Sequence, residues 1–232
     1  MTTALSPRLL TKRDDLSRLP ASELMPITGA GMADVVRHGL PRKGLSGEVN
    51  TWRRRNLGYL WHGARRALAA RALGIPTIYG ALWLKLIRAD GEEIDYGLAS
   101  LRVVTTAGCN EVVANLIGTK NNIALFKYHG IGTGATAAAS SDTALQTELT
   151  TQYSPASTRA TGTQGTGGSN NIYSTTGTNT VSASVSITEH GLFTQAATGG
   201  GTLIDRSTFA VVSLNSGDSI QTPFNFTMVA GG

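Results

Sequence analysis

The residues of this chain best suited to chemistry are four histidines, one cysteine, a glycine-spaced loop, an acidic cluster and a run of arginines. His38, His62, His129 and His190 contain no i, i+4 pair and no H-E-x-x-H setting, so a helical metal site is not encoded and each reads as a structural or surface histidine. Cys109 stands alone, which excludes an intrachain disulfide framework and a multi-cysteine zinc site; it reads as a small buried apolar residue. Gly130-Ile131-Gly132-Thr133-Gly134 suggests a phosphate loop, but it lacks the third glycine of a dinucleotide fingerprint and a P-loop lysine, so a flexible loop leaving a strand is expected. Asp90, Glu92, Glu93 and Asp95 are the densest carboxylates, and they fall at a hairpin tip where solvated charge is normal. No G-x-S-x-G elbow occurs, and Asn225-Phe226-Thr227 matches a glycosylation acceptor in a pattern common by chance. No catalytic, cofactor-binding or metal residue is assigned. The chain is not read as an enzyme, and no cofactor is expected.

The arginines remain. Arg53, Arg54, Arg55, Arg65, Arg66 and Arg71 fall in one stretch, residues 47–73, which also carries Leu57, Leu60, Trp61, Ala64 and Leu68 at helical spacing. Gly74 and Pro76 then stop it. The result is a basic amphipathic helix. Gly58 and Gly63 inside it each cost about 1 kcal/mol relative to alanine, so the helix needs something to pack against. Arginine favours planar carboxylate pairing, which points to a protein partner, and no helix-turn-helix, zinc-finger or ribonucleoprotein motif supports nucleic acid. The expected partner-binding residues are Trp52, Arg53, Arg54, Arg55, Leu57, Leu60, Trp61, Arg65 and Arg66. Neither nucleic acid nor membrane is expected as a partner.

The surroundings divide into two regions. Residues 1–106 hold 16 Lys/Arg against 9 Asp/Glu, whereas residues 107–232 hold 4 against 6. The second half takes its polarity from hydroxyls, with 24 Ser or Thr among residues 131–190. Such a surface is solvated without a field that would attract phosphates. Overall, 15% charged and 41% hydrophobic residues argue against a coiled coil or a charged disordered chain. No apolar run reaches the roughly 20 residues of a membrane span, and Arg8, Lys12, Arg13, Asp14 and Asp15 interrupt any leader, so a soluble protein made in the cytoplasm is expected.

Residues 1–46 alternate Pro7, Pro20, Pro26 and Pro41 with glycines, yet keep Leu9, Leu10, Leu16, Leu19, Leu24, Met25 and Ile27; an extended arm lying along another surface is expected, with a flexible leader ordered only in part as the alternative. From residue 77 the period becomes two. Leu82, Leu84 and Leu86 alternate with Trp83, Lys85 and Ile87, Asp90-Gly91 marks a hairpin, and a second strand runs from Ile94 to Thr105. A short helix from Thr106 to Asn115 capped by Thr106, and a strand from Ile123 to Tyr128, follow. Val181, Ala183, Val185 and Ile187 read as one strand, as do Ile220, Phe224, Phe226 and Met228, with Pro223 confining the latter to an edge or an unpaired stretch. The expected fold is mainly β: a jelly-roll-like antiparallel β-sandwich over residues 77–232, preceded over 1–76 by an extended arm and one basic helix.

Two stretches carry a resemblance. Tyr128-His129-Gly130-Ile131-Gly132-Thr133-Gly134 leads into ASSDTALQTEL (139–149), and ITEHGLF (187–193) leads through a glycine turn to LIDRSTF (203–209) and Gly217-Asp218-Ser219-Ile220. Together, over about residues 98–230, they resemble structural proteins of tailed-bacteriophage virions. The resemblance implies a β-sandwich virion domain without catalytic residues, assembled in the host cytoplasm and resident in the virion. It further implies a homo-oligomer, with a trimer expected. The first expectation is a capsid decoration or cement protein that clamps the major capsid protein, or another virion protein, through its N-terminal arm. A neck, collar or tail-fibre anchor component is the alternative, and a carbohydrate- or host-recognition module is the alternative of another class.

Overall fold

The computed structural model describes residues 38–72 and 77–229; the expected arm is therefore described only from His38 onward, and its residues 1–37 lie outside the described residues. The described chain is a helix followed by an antiparallel β-sandwich. Helix α1 (Gly47–Ala72) precedes β1 (Thr77–Ile87) and β2 (Glu93–Val103). Helix α2 (Thr106–Leu116) and a 3-10 turn (Ile123–Leu125) lead to β3 (Tyr128–Gly132). The short strands β4 (Tyr153–Ser154), β5 (Ala160–Thr161) and β6 (Thr163–Thr166) follow, then the long β7 (Ile172–Val181), β8 (Val185–Phe193), β9 (Leu203–Leu214) and β10 (Ser219–Val229). One sheet runs β2-β1-β10-β7-β4, with β6 also paired to β7; the other runs β5-β3-β8-β9. Leu84, Leu86, Ile131, Ile187, Phe209, Val212, Ile220 and Phe224 are buried together in the core.

The β1–β2 hairpin forms where the sequence places it. Leu82, Leu84 and Leu86 are buried, Trp83, Lys85 and Ile87 half-buried, and the turn closes with the Arg88 N–H donating to the Glu92 carbonyl at 2.8 Å. Elsewhere the local reading is corrected. Ile123–Leu125 is a 3-10 turn, and the strand begins at Tyr128, so Gly130 to Gly132 of the glycine-spaced segment lie in β3 while Thr133 and Gly134 leave it as a connection. Val181 ends β7 and Val185 opens β8; exposed Ala183 sits in the bend between them, so the apparent four-residue alternation spans a turn. Strand β10 is interior, and its register with β1 lapses between Leu82–Phe224 and Lys85–Gln221, which leaves Pro223 in a local gap of that ladder. Thr105, not Thr106, caps α2, its hydroxyl accepting from the Gly108 N–H. Cys109 is exposed rather than buried.

Helix α1 is part of the sandwich. Ser46 accepts the Val49 N–H at its start. One face then fastens the rims of both sheets. Trp52 Nε1 donates to the Ala210 carbonyl of β9 at 2.9 Å, and Arg53 Nε donates to the Tyr96 carbonyl of β2 at 2.9 Å. Asn56 spans the seam, donating to the Ala99 carbonyl on β2 and accepting the Ala210 N–H on β9. Sheet edges present unpaired backbone groups, and this helix covers two of them with matched donors and acceptors. Gly63 permits the close fit, because a Cβ there would lie 1.8 Å from the Leu101 carbonyl oxygen. Gly58, by contrast, is exposed. Gly58→Ala should therefore raise stability by about 0.5–1 kcal/mol through helix propensity, whereas Gly63→Ala should lower it despite the same propensity gain. Urea unfolding of the two variants measures the opposite signs.

Candidate functional site

Residues 107–232 contain few charges, and the fold turns most of them inward. Glu189 on β8 is fully buried. Its Oε1 accepts the Gly134 and Thr147 N–H groups at 2.9 and 2.8 Å. Its Oε2 accepts the Gln146 N–H at 3.0 Å and Arg206 Nε at 2.7 Å. Four donors fill the capacity of one carboxylate. Arg206 Nη1 continues to Asp142 Oδ2 at 3.0 Å, and that oxygen also accepts the Ala139 N–H. The segment between β3 and β4 is thus fastened to the second sheet by one buried anion and its arginine. Gly134 has no side chain because a Cβ would stand 2.5 Å from Glu189 Oε1.

A second fastener lies beside it. Arg159 grips Glu148 through Nε and Nη2, its Nη1 donates to the Gln195 and Gly200 carbonyls, and its guanidinium lies 3.5 Å from the Phe193 ring centroid. A third joins two turns: Asp218 accepts from Arg88 Nη1, the Ala89 N–H and the Asn215 N–H. Burial alone would raise the Asp218 carboxyl, but these three donors outweigh it and hold its pKa below the ordinary value. Glu111 accepts from Lys120 Nζ and Asn122 Nδ2, and Asp205 accepts from the Ser207 hydroxyl.

Two histidines far apart in sequence meet in the core. His129 Nδ1 lies 3.0 Å from His190 Nε2 and 3.0 Å from the Thr222 hydroxyl, while its Nε2 faces the Thr175 hydroxyl at 3.2 Å. A hydrogen bond between two ring nitrogens needs one N–H and one bare nitrogen, so two imidazolium rings cannot share it. Burial pushes His129 down to about 3; burial and the neighbouring His129 ring push His190 well below its ordinary value.

The expected partner-binding residues separate into three groups. Trp52, Arg53 and Leu60 are buried against the chain's own sheets, Arg53 with 2% exposure, so their role corrects to internal packing. Leu57 and Trp61 are half-buried, and Arg54 and Arg55 are exposed. Arg65 and Arg66 belong to α1, but their side chains lie outside the described residues. The sequence reading missed the fasteners because it searched for catalytic spacing. The available signal was scarcity: in residues 107–232, all six acids and three of the four basic residues have assigned partners, and the fourth, Lys127, lies over the Tyr128 ring.

Among the described residues no group of three or more His, Cys, Asp or Glu is placed to hold a metal ion, and no helix is long and apolar enough to cross a membrane. No known family model matches the sequence, and no curated protein matches it.

Two outcomes follow from these sites. Glu189→Gln removes the charge that balances Arg206 and turns an amide N–H toward backbone donors; it should cost about 3–5 kcal/mol in denaturant unfolding and expose residues 133–149 to protease. The histidine pair should make the protein acid-sensitive. Unfolded histidine binds a proton near pH 6.5, the folded rings do not, and the unfolded state therefore gains protons as pH falls. Stability is full above about pH 6.5 and falls below it, by about 2 kcal/mol at pH 5 for His129, with His190 adding to the loss in the same direction. Urea midpoints at pH 7 and 5 measure the loss, and His190→Gln should flatten it.

Proposed function

We propose that this chain is a structural protein of a tailed-bacteriophage virion, assembled in the host cytoplasm. Within that class we assign it as a capsid decoration or cement protein, held on the major capsid lattice by its N-terminal segment and the outer face of α1. The observation that carries the reading is where the resembling motifs fall. Asp142, Glu148, Glu189, Arg206 and Asp218, five of the six charged residues of those motifs, are fasteners inside a sandwich rather than groups presented to a substrate. A motif chemistry devoted to holding loops onto a frame suits a protein whose product is a shape.

The exterior supports the same reading. Thr133, Thr136, Ser140, Ser141, Thr143, Thr163 and Thr166 are exposed, so much of the sandwich surface is hydroxyl rather than ionic. Exposed Arg54 and Arg55 lie on α1, whose opposite face is fixed to the sheets, and a rigid helix presenting guanidinium groups fits an acidic protein surface. A homo-oligomer, trimeric by the family resemblance, is part of this proposal.

Quantitative mass spectrometry of purified particles tests it. Hundreds of copies per particle support decoration. About a dozen or fewer, matching a ring at the neck, would move the protein to the neck, collar or tail-fibre anchor. Absence from particles would overturn the virion assignment. Arg54→Glu combined with Arg55→Glu should weaken particle binding about tenfold while leaving the circular dichroism spectrum unchanged.

A further inference from the structure

A groove of about 330 Å³ opens between α2, the 3-10 turn and strands β6, β7 and β10. Val112, Phe126, Ile172, Ile204, Phe226 and Met228 are among the residues that line it. Its apolar character continues outward. Ile123 and Met228 line the groove while remaining 47% and 52% exposed, and α2 carries exposed Val113 and Leu116 beside Val112, followed by exposed Ile117. Contiguous apolar surface of this kind on a soluble domain marks a place that another chain covers. The groove also borders a strand edge. Gly165 and Thr166 of β6 line it, β6 is exposed along its length, and among the described residues β6 pairs only with β7. An apolar trough beside an open strand edge suits an extended peptide, with backbone pairing along the edge and alternate side chains in the trough.

We propose that this groove receives the leucine-bearing N-terminal segment, residues 1–37, of a second copy of the chain. The proposal rests on the assembly reading above and names the contact through which neighbouring copies would be joined. The sequence supplies a matching occupant. Leu9, Leu10, Leu16, Leu19, Leu24, Met25 and Ile27 recur among Pro7, Pro20 and Pro26, which disfavour a long regular helix and favour extended backbone. The point of attachment fixes where the segment starts, and the assembly reading assigns it to a neighbour's groove rather than the chain's own, which a segment of this length also reaches. The His38 carbonyl packs directly over Gly97 of β2, and the Leu40 carbonyl is held by Arg53 Nη1. Strand β2 is one edge of its sheet, whereas β6 flanks β7 toward the other, beyond β1 and β10. Residue 38 is thus anchored on the opposite side of the sheet from the groove. A segment of 37 residues spans up to about 120 Å when extended, ample to cross to an adjacent copy.

Full-length protein tests this without particles. In a Cys109→Ser background, Met228→Cys is prepared as one population, and Leu9→Cys, Leu16→Cys and Leu24→Cys as three others. Each is mixed with the first and oxidised. The expected result is a disulfide-linked heterodimer with at least one of the three, several-fold above an Asp90→Cys control. In parallel, Ile123→Asp combined with Met228→Asp, both at exposed positions, should weaken self-association at least tenfold by sedimentation. No heterodimer above the control overturns the proposal, as does self-association indifferent to the Asp substitutions. Because the readout is contact between purified copies, its failure leaves the particle stoichiometry to stand by itself, and the reverse also holds.

Discussion

Glu189 is an anion with no exposure to water, and the surrounding chain is arranged to make that tolerable. A carboxylate in the interior of a sandwich is unfavourable unless its oxygens are saturated and its charge is balanced. Three backbone N–H groups and one guanidinium do both. The consequence is topological. The donors come from Gly134, Gln146 and Thr147, so the long connection between β3 and β4 cannot drift from the sheet without uncovering a buried charge. Arg206, in turn, needs Asp142 as well as Glu189. A segment poor in apolar residues, which could not be held by hydrophobic burial alone, is held by a charge that has no alternative partner. Arg159 repeats the device for β5 and the β8–β9 connection, with Phe193 as the apolar surface on which the guanidinium rests.

The same economy explains why the exterior is hydroxylic. With most charged side chains of residues 107–232 assigned to interior or loop-closing contacts, hydration of the surface falls to groups that hydrate without pairing. Serine and threonine meet that need, and threonine is also at ease in strands. The buried histidine pair belongs to this scheme as its weak member. Its ring-to-ring hydrogen bond is lost once both rings carry a proton, and among the described residues no carboxylate is hydrogen-bonded to either ring to stabilise that charge.

The features legible in the sequence were those set by local periodicity: the β1–β2 hairpin, the extent of α1, the position of α2 and the antiparallel sandwich class. Alternation over Leu82–Ile87 and the Asp90-Gly91 turn each need only neighbouring residues to be read. The errors came where two local signals were ambiguous or where tertiary pairing decides. Val181 to Ile187 alternates perfectly yet bends at Ser182–Ser184, because strand length is set by the partner strands. Pro223 sits in an interior strand because only one of its two ladders has to give way. The face of α1 was misjudged by about a residue: Trp52, Arg53 and Asn56 join Leu60 and Ala64 inward, since backbone acceptors and donors at the sheet rims recruit polar side chains that a hydrophobic stripe cannot anticipate. The fasteners were invisible as motifs because their members lie on different strands.

Placing Arg53 inside the fold changes how attachment to any partner must work. An arginine whose donors already bond the Tyr96 and Leu40 carbonyls cannot turn outward without leaving both carbonyls unpaired, so the helix cannot serve as a detachable clamp. It is instead a rigid shelf. In the proposed attachment, Arg54 and Arg55 meet an acidic surface from a helix already fixed to the sheets, and residues 1–37 meet an apolar one. Two modes of contact therefore complement each other. The shelf contributes orientation and encounter rate through charge. The leucine-bearing segment, in the same proposal, would contribute apolar burial. Because exposed ion pairs are individually weak, that proposal places the burden of affinity on an apolar receptor rather than on surface charge.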